Sequence, residues 1–228
     1  MNKTPVLISF SGGKDAAWML HQLQQSEQYQ PVALMTTLED GERVALHGIA
    51  RDVVAAQAAA IGLPLLEAPM PDRADNVAYE SAFATALELA RVRWPDLAHI
   101  AFGDLFLADI KAYRDSVCSR LGWTSLYPLF GADSVELADA MIAAGLKARI
   151  CCVDTQLLPG EFAGRQFNTS LLHDLPTGAD PCGEYGEFHT CVTDGPMFIT
   201  PLTLYRGEST LYRDRFLRTD FRLQPPTG

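Results

Sequence analysis

The chain has 228 residues, 48% of them apolar and 20% charged, with a formal net charge of −10. This apolar content can bury a core, which excludes a disordered chain, and the acidic balance disfavours non-specific binding to nucleic acid or an anionic membrane. No apolar run approaches the roughly 18 residues of a spanning helix. The five cysteines, an odd number with no C-x-x-C, point to a reduced cytoplasmic protein without a disulfide framework or cysteine-rich zinc site.

The N-terminal "MNKTPVLISF" runs directly into a strand pattern, which reads as no signal peptide. "PVLISF" (5–10) precedes a helical stretch in which Ala16, Met19, Leu20 and Leu23 share a face. "PVALMTT" (31–37) is a second strand, followed from about Gly48 by a helix with Ile49, Val53, Ala56 and Ala60 inward. "LPLLEAP" (63–69) leads to a helix over 75–93 anchored by Tyr79, Phe83 and Leu87. "AHIAFGD" (98–104), a helix from about Asp109 to Leu121 and the run "TSLYPLF" complete the first half. Strands alternating with helices of this length predict βαβ units in a right-handed parallel sheet. The second half breaks the rhythm: a helix over 134–145 that Ser134 could cap, a buried strand over 147–155, Gly- and Pro-rich loops over 159–183, then alternating strands. The expected division is 1–130 for an α/β domain with a Rossmann-like five-stranded parallel sheet, and 131–228 for a smaller α+β domain.

The stretch "ISFSGGKDAAW" (8–18) puts Gly12 and Gly13 where a strand turns into a helix, so the backbone can approach an anion at the helix N-terminus. Ser9 and Ser11 add hydroxyls and Lys14 a point charge. Asp15 makes sense beside phosphate if it holds a magnesium ion that bridges phosphates. Both Lys14 and Asp15 are expected to be exposed. The pattern is neither a Walker A loop nor G-x-G-x-x-G, and a plain glycine turn with a solvated lysine is the competing reading.

Ser11-Gly12-Gly13-Lys14-Asp15 resembles the S-G-G-K-D-S loop of the N-type ATP pyrophosphatases, and "PCGEYGEFHT" (181–190) resembles the C-G-E-x-G-E-[FY] element of the diphthine–ammonia ligase (diphthamide synthase) family within them. "FGDLFLADIKAYRD" (102–115) and "GEFAGRQF" (160–167) resemble the same family, so the likeness covers nearly the whole chain. It implies ATP and Mg2+ as cofactors and a ligase that adenylates a carboxylate, releases pyrophosphate and forms an amide with ammonia. Two departures stand out. Ala16 replaces the loop's final serine, and Tyr185 with the following Phe-His-Thr resembles the bacterial branch, for which an acceptor other than diphthine is implied.

Glu184 and Glu187 lie three apart in a glycine-rich segment whose Gly183 and Gly186 permit positive φ, so the turn is expected to aim both carboxylates to one side. A carboxylate pair can bind ammonium or keep ammonia unprotonated; two solvated acids on a hairpin are the bland alternative. Lys14, Asp15, Glu184 and Glu187 are therefore the catalytic candidates. Thr36, His47, Gly103 and Asp104, at or after strand ends, join the loop as nucleotide-site candidates. Asp109 and Arg114 on the fourth helix, with Gly183, are candidates for the acceptor, against a merely solvated helix face. His189, alternating with Phe188, reads as facing solvent, and Cys182 as a small buried residue. The implied partners are a small-molecule or protein-borne carboxylate and ammonia, with no membrane and no nucleic acid; a homo-oligomer is compatible with the sequence. A non-catalytic ATP- or AMP-binding module and a tRNA-modifying ATP pyrophosphatase are the alternatives, the latter disfavoured by the acidic balance.

Overall fold

The computed structural model describes residues 3–224. Its first sheet starts with β1 (Thr4–Ser9), which turns through the glycine pair into α1 (Lys14–Gln25). Then come β2 (Tyr29–Glu39), a two-residue antiparallel return β3 (Arg43–Val44), α2 (Arg51–Ile61), β4 (Leu65–Met70) and α3 (Asn76–Arg93). β5 (His99–Ala101), α4 (Ala108–Arg120) and β6 (Thr124–Leu126) complete it. The parallel strands run β4-β2-β1-β5-β6, with β3 paired antiparallel to the end of β2. The expected five-stranded parallel sheet is present; the short β3 hairpin after it was not anticipated.

Burial explains the strand order. Val6, Leu7 and Ile8 of β1 are all fully buried, as a central strand covered on both faces must be. Val6 and Ile8 point to the side of α1 and α2, and Leu7 to the side of α3 and α4, where Phe83, Leu87, Phe102, Val117 and Trp123 gather. The chain winds outward from β1 to β4 and then crosses to β5 on the other flank of β1. The crevice between β1 and β5 is thus the topological switch point, where such sheets bind ligands.

After β6 come α5 (Ser134–Ala143) and β7 (Lys147–Asp154), then a 3-10 turn and α6 (Thr169–Asp174), both inside the segment expected to be loop. β8 (Phe188–Asp194), β9 (Leu204–Tyr212) and β10 (Phe216–Leu223) form with β7 an antiparallel sheet of order β8-β7-β10-β9. Asp133, rather than Ser134, caps α5: its carboxylate accepts from the N–H groups of Val135 and Glu136 at 2.9 and 3.0 Å. The acid one residue earlier reaches two first-turn donors, so the serine begins the helix instead. One apolar cluster runs from Ile8, Met19 and Val53 on to Ile150, Val153 and Phe188, so the second sheet packs against the α1–α2 face of the first. All five cysteines are buried and free, and among the described residues no helix is long and apolar enough to cross a membrane.

Candidate functional site

Two cavities meet beyond the C-terminal ends of β1, β2 and β5. The first, about 370 Å³, lies over β2 and β4 and is lined among others by Ser9, Ser11, Thr36, His47, Tyr79 and Arg213. The second, about 470 Å³, lies between the phosphate-type loop and the second sheet. Its walls include Ser11, Lys14, Asp15, Asp104, Glu184 and His189. Ser9, Ser11, His47 and Arg114 line both, so they are two lobes of one cleft joined at the loop.

The loop is held open by a left-handed residue and closed from the far sheet. Gly12 has φ +77°, and a β-carbon there would sit 2.4 Å from Gln57 Oε1, so both conformation and space require glycine. Its carbonyl accepts from Val192 N–H of β8 at 2.9 Å and from Gln57 Nε2 at 3.0 Å. Gln57 also donates to Val192 O at 2.7 Å, tying loop, α2 and β8 together. Gly13 caps α1 without a side chain, and the Thr190 hydroxyl of β8 supplies what is missing by accepting from Lys14 N–H at 3.0 Å. Gly103 allows the turn after β5 to come within van der Waals contact of Asp15: a β-carbon would lie 3.1 Å from the Asp15 carbonyl carbon.

Lys14 departs from expectation. It is 1% exposed, not solvated, because its ammonium turns inward to donate to both Asp15 carboxylate oxygens (2.9 and 2.8 Å) and to the Cys182 carbonyl. Burial is the largest single influence and lowers its pKa, but the Asp15 charge and hydrogen bond together with the Cys182 and Glu184 charges outweigh it and raise the value, so Lys14 stays protonated. Asp15 is the more accessible partner but is itself half-buried, with 29% of its side chain accessible, so it too departs from the exposed position expected. Burial of the site pushes its pKa up, against the pull of Lys14.

The two glutamates also part company. Glu184 crosses to the first sheet, its Oε1 accepting from Leu105 N–H at 2.8 Å and Phe106 N–H at 3.3 Å. Burial raises its pKa, and the nearby Asp15 and Asp104 charges add to that against the two backbone bonds. Glu187 is 4% exposed and turns into its own loop, accepting from Asp180 N–H (2.9 Å) and Tyr185 N–H (3.0 Å). The turn therefore does not aim both carboxylates to one side, because the loop's own N–H groups need an acceptor and Glu187 is the one within reach. Gly183, with φ +71°, lines the second lobe beside them. Cys182 is buried, and burial pushes its thiol up to about 12, which suits a packed residue rather than a nucleophile.

The remaining candidates sort by place. Thr36 is 2% exposed and its hydroxyl lacks a protein partner while lining the first lobe. Asp104 and Arg114 form an ion pair (3.0 Å) at the second lobe, with Arg114 stacked over Phe102. Asp109 is exposed in the first turn of α4 and lines neither lobe; its negative charge complements the helix N-terminus instead. His189 is half-buried and faces the cleft rather than the outer surface, its ring centroid 4.5 Å from that of His47 at the joint of the lobes.

Sequence reasoning expected strands here but missed the turn that joins β9 to β10 and the basic side chains it brings to the cleft. Arg213 and Asp214 both take positive φ (53° and 52°) in the turn, a conformation usually signalled by Asn-Gly or Asp-Gly, so "YRDR" carried no warning. The hairpin tip sets Arg213 on the first lobe, 2.6 Å from Asp72, and Arg215 on the second, paired with Asp154.

Residues 2–125 match the family model of the diphthamide synthase N-terminal domain, and residues 133–217 that of the diphthamide synthase C-terminal domain. A diphthine–ammonia ligase of Schizosaccharomyces pombe is 26% identical over 211 residues, covering 85% of this chain and 35% of that protein. One of Danio rerio is 31% identical over 114 residues, 47% of this chain and 45% of that protein. The chain thus spans less than half the length of these relatives. With both domain models matched in chain order, the chain belongs to the diphthamide synthase family.

Proposed function

We propose that the chain is an ATP-dependent ligase that activates a carboxylate as its adenylate and converts it to an amide with ammonia. The observation that carries the reading is the two-lobed cleft hinged on the Ser9–Gly13 loop, with Glu184 across the second lobe. The expected modules, 1–130 for nucleotide and 131–228 for acceptor, meet there. The nucleoside occupies the first lobe, where the unpartnered Thr36 hydroxyl offers a hydrogen bond. The triphosphate runs along Ser9, Ser11, Gly12 and Gly13 toward the second lobe, which holds the acceptor.

In the proposed reaction a carboxylate oxygen of the acceptor bonds to the α-phosphorus and the bond to the bridging oxygen breaks, releasing pyrophosphate. Ammonia then attacks the acyl carbon, and AMP leaves with that carboxylate oxygen. The loop hydroxyls and N–H groups stabilise the charge growing on the leaving pyrophosphate. Glu184 binds ammonium in the second lobe and takes its proton; a carboxylate raised by burial is the better base for this. Glu187 braces the loop that carries Glu184. Closure of β8 over the loop excludes water, which would hydrolyse the adenylate.

Among the described residues no three His, Cys, Asp or Glu side chains converge as a metal site. Mg2+ needs no such cage, since it keeps waters and takes one or two carboxylates with substrate phosphates. Asp15, the half-buried carboxylate at the end of the loop, fits that donor set, and the ion when bound would neutralise phosphate charge. The acceptor in this reading is a small-molecule or protein-borne carboxylate other than diphthine, as the likeness of Tyr185 and the following Phe-His-Thr to the bacterial branch implies. The test is to supply the purified protein with Mg-ATP, ammonium and fractionated cell extract and to identify the nucleotide product. AMP and pyrophosphate in equal amounts, dependent on ammonium, support the reading; ADP and phosphate, or no turnover with any fraction, would remove it in favour of another ligase class or a nucleotide sensor.

A further inference from the structure

The side chains of the cleft sum to no net positive charge. Five basic side chains line the two lobes, and every one is already matched by an acid. Lys14 pairs with Asp15 at 2.8 Å, Arg114 with Asp104 at 3.0 Å and Arg215 with Asp154. Arg213 and Arg73 share Asp72 at 2.6 and 3.7 Å. Glu184 adds a further negative charge. A polyphosphate entering such a site would meet fixed hydrogen-bond donors and the Mg2+ that Asp15 would hold, but no net positive charge from these side chains, and charge left without compensation in a half-buried cleft is costly.

Two groups at the joint of the lobes can change this. His47 and His189 approach from opposite sheets with ring centroids 4.5 Å apart, and among the described residues neither has a carboxylate in ion-pair contact. His47 Nδ1 lies 3.4 Å from the Ala45 carbonyl, which makes it the donor and leaves Nε2 with the lone pair. That Nε2 stands over the phosphate loop, 2.8 Å from where a β-carbon of Gly13 would be. We propose that the His47–His189 pair is the cleft's adjustable charge: it is neutral in the free protein and takes up a proton from solvent, at His47 Nε2 or on the His189 ring, when the polyphosphate of a nucleotide binds. This rests on the reading of the loop as a polyphosphate site.

The surroundings support the direction. Burial is the main influence lowering both histidines, His47 well below its ordinary value and His189 to about 4. Lys14 of α1 and Arg218 of β10 add repulsion to each, and the two rings repel one another's charge. On the other side stand Asp154 of β7, which raises His189, and the Ala45 carbonyl, which raises His47; Glu39 partly occupies Arg218 at 3.3 Å. A bound triphosphate reverses this balance by placing anionic oxygens beside Gly13, so the pKa of the pair rises on binding and ligand affinity falls as pH rises through the liganded value. In the limit of one proton per ligand, affinity changes about tenfold per pH unit between the free and bound values.

The experiment is titration calorimetry of the full chain with Mg2+ and α,β-methylene-ATP at pH 6.5, in buffers of different ionisation enthalpy. Proton uptake is read from the slope of observed heat against that enthalpy. The wild-type protein is expected to take up between roughly half and one proton per nucleotide. His189→Asn and His47→Asn should each cut the uptake at least by half, with circular dichroism confirming the fold. Wild-type binding with no buffer dependence overturns the proposal while leaving the polyphosphate site standing, as does uptake unchanged in both variants. Absence of binding at millimolar analogue removes the site itself, and the proposal with it.

Discussion

Replacing Lys14 by methionine should destabilise the protein even though the residue belongs to the loop proposed to bind the nucleotide. The stem would still pack beside Phe167 and Phe188, whose ring centroids lie 5.6 and 5.4 Å from the ammonium. What disappears is the donor to both Asp15 oxygens and to the Cys182 carbonyl. Removing one partner of a fully buried pair costs about 3–5 kcal/mol, and the 29% exposure of Asp15 lets water repay part of it, so about 2–3 kcal/mol is expected. For a chain of this size that lowers the midpoint by about 5–10 °C in thermal denaturation followed by circular dichroism. Lys14→Met/Asp15→Asn should lose less than Lys14→Met alone, because no carboxylate is left unpaired. The raised pKa of Lys14 adds a pH signature: its contribution is complete below the ordinary value of 10.5 and is lost as pH rises through the higher folded value. A melting point within about 1 °C of wild type, or simple additivity in the double variant, would refute the inward ion pair.

Four further outcomes follow from the same geometry. Glu187→Gln should cost about 1–3 kcal/mol in urea unfolding, since the amide can serve only one of its two loop N–H groups, whereas Glu184→Gln should fold normally and lose amide formation most severely at low ammonium; equal stability of the two would contradict their separation. Gly12→Ala should lose at least ~1–2 kcal/mol for the left-handed backbone, with more for the clash with Gln57, and weaken nucleotide binding; a neutral result in both measurements would mean another loop conformation. Ala16→Ser should tighten Mg-ATP binding modestly in calorimetry if the absent hydroxyl is a deficit, and loss of binding would show a pocket remodelled for another ligand. Cys182 should resist alkylation by iodoacetamide at pH 8, as its thiol lies near 12; rapid labelling of the native protein would put it in the exposed site instead.

The first half of the chain was legible because its signals are local. Runs such as "PVLISF" and "PVALMTT" announce buried strands, and the glycine pair between strand and helix marks an anion-binding turn in any sheet of this kind. The second half hid its contribution because that is made by distance. Thr190 completes the N-terminus of α1 from 176 residues away, and Gln57 reads as one more polar residue on an Ala-rich helix until its amide is seen joining Gly12 to Val192. The two glutamates of "GEYGE" look equivalent in a sequence. Only the positions of the Leu105, Asp180 and Tyr185 N–H groups decide that one faces the cleft and the other its own turn. Lys14 was misjudged for a related reason: a lysine next to a phosphate loop reads as exposed, yet the Cys182 carbonyl that draws it inward comes from the other sheet.

The most direct test of the central claim is a crystal structure of the protein with Mg2+ and α,β-methylene-ATP. The base and ribose should lie in the lobe of Thr36 and Tyr79, with the Thr36 hydroxyl bonded to the nucleoside, and the phosphates within hydrogen-bond distance of Ser9, Ser11 and the Gly12–Gly13 backbone. A nucleotide bound with its base in the lobe of Glu184 and His189, or with its phosphates away from the loop, would contradict it.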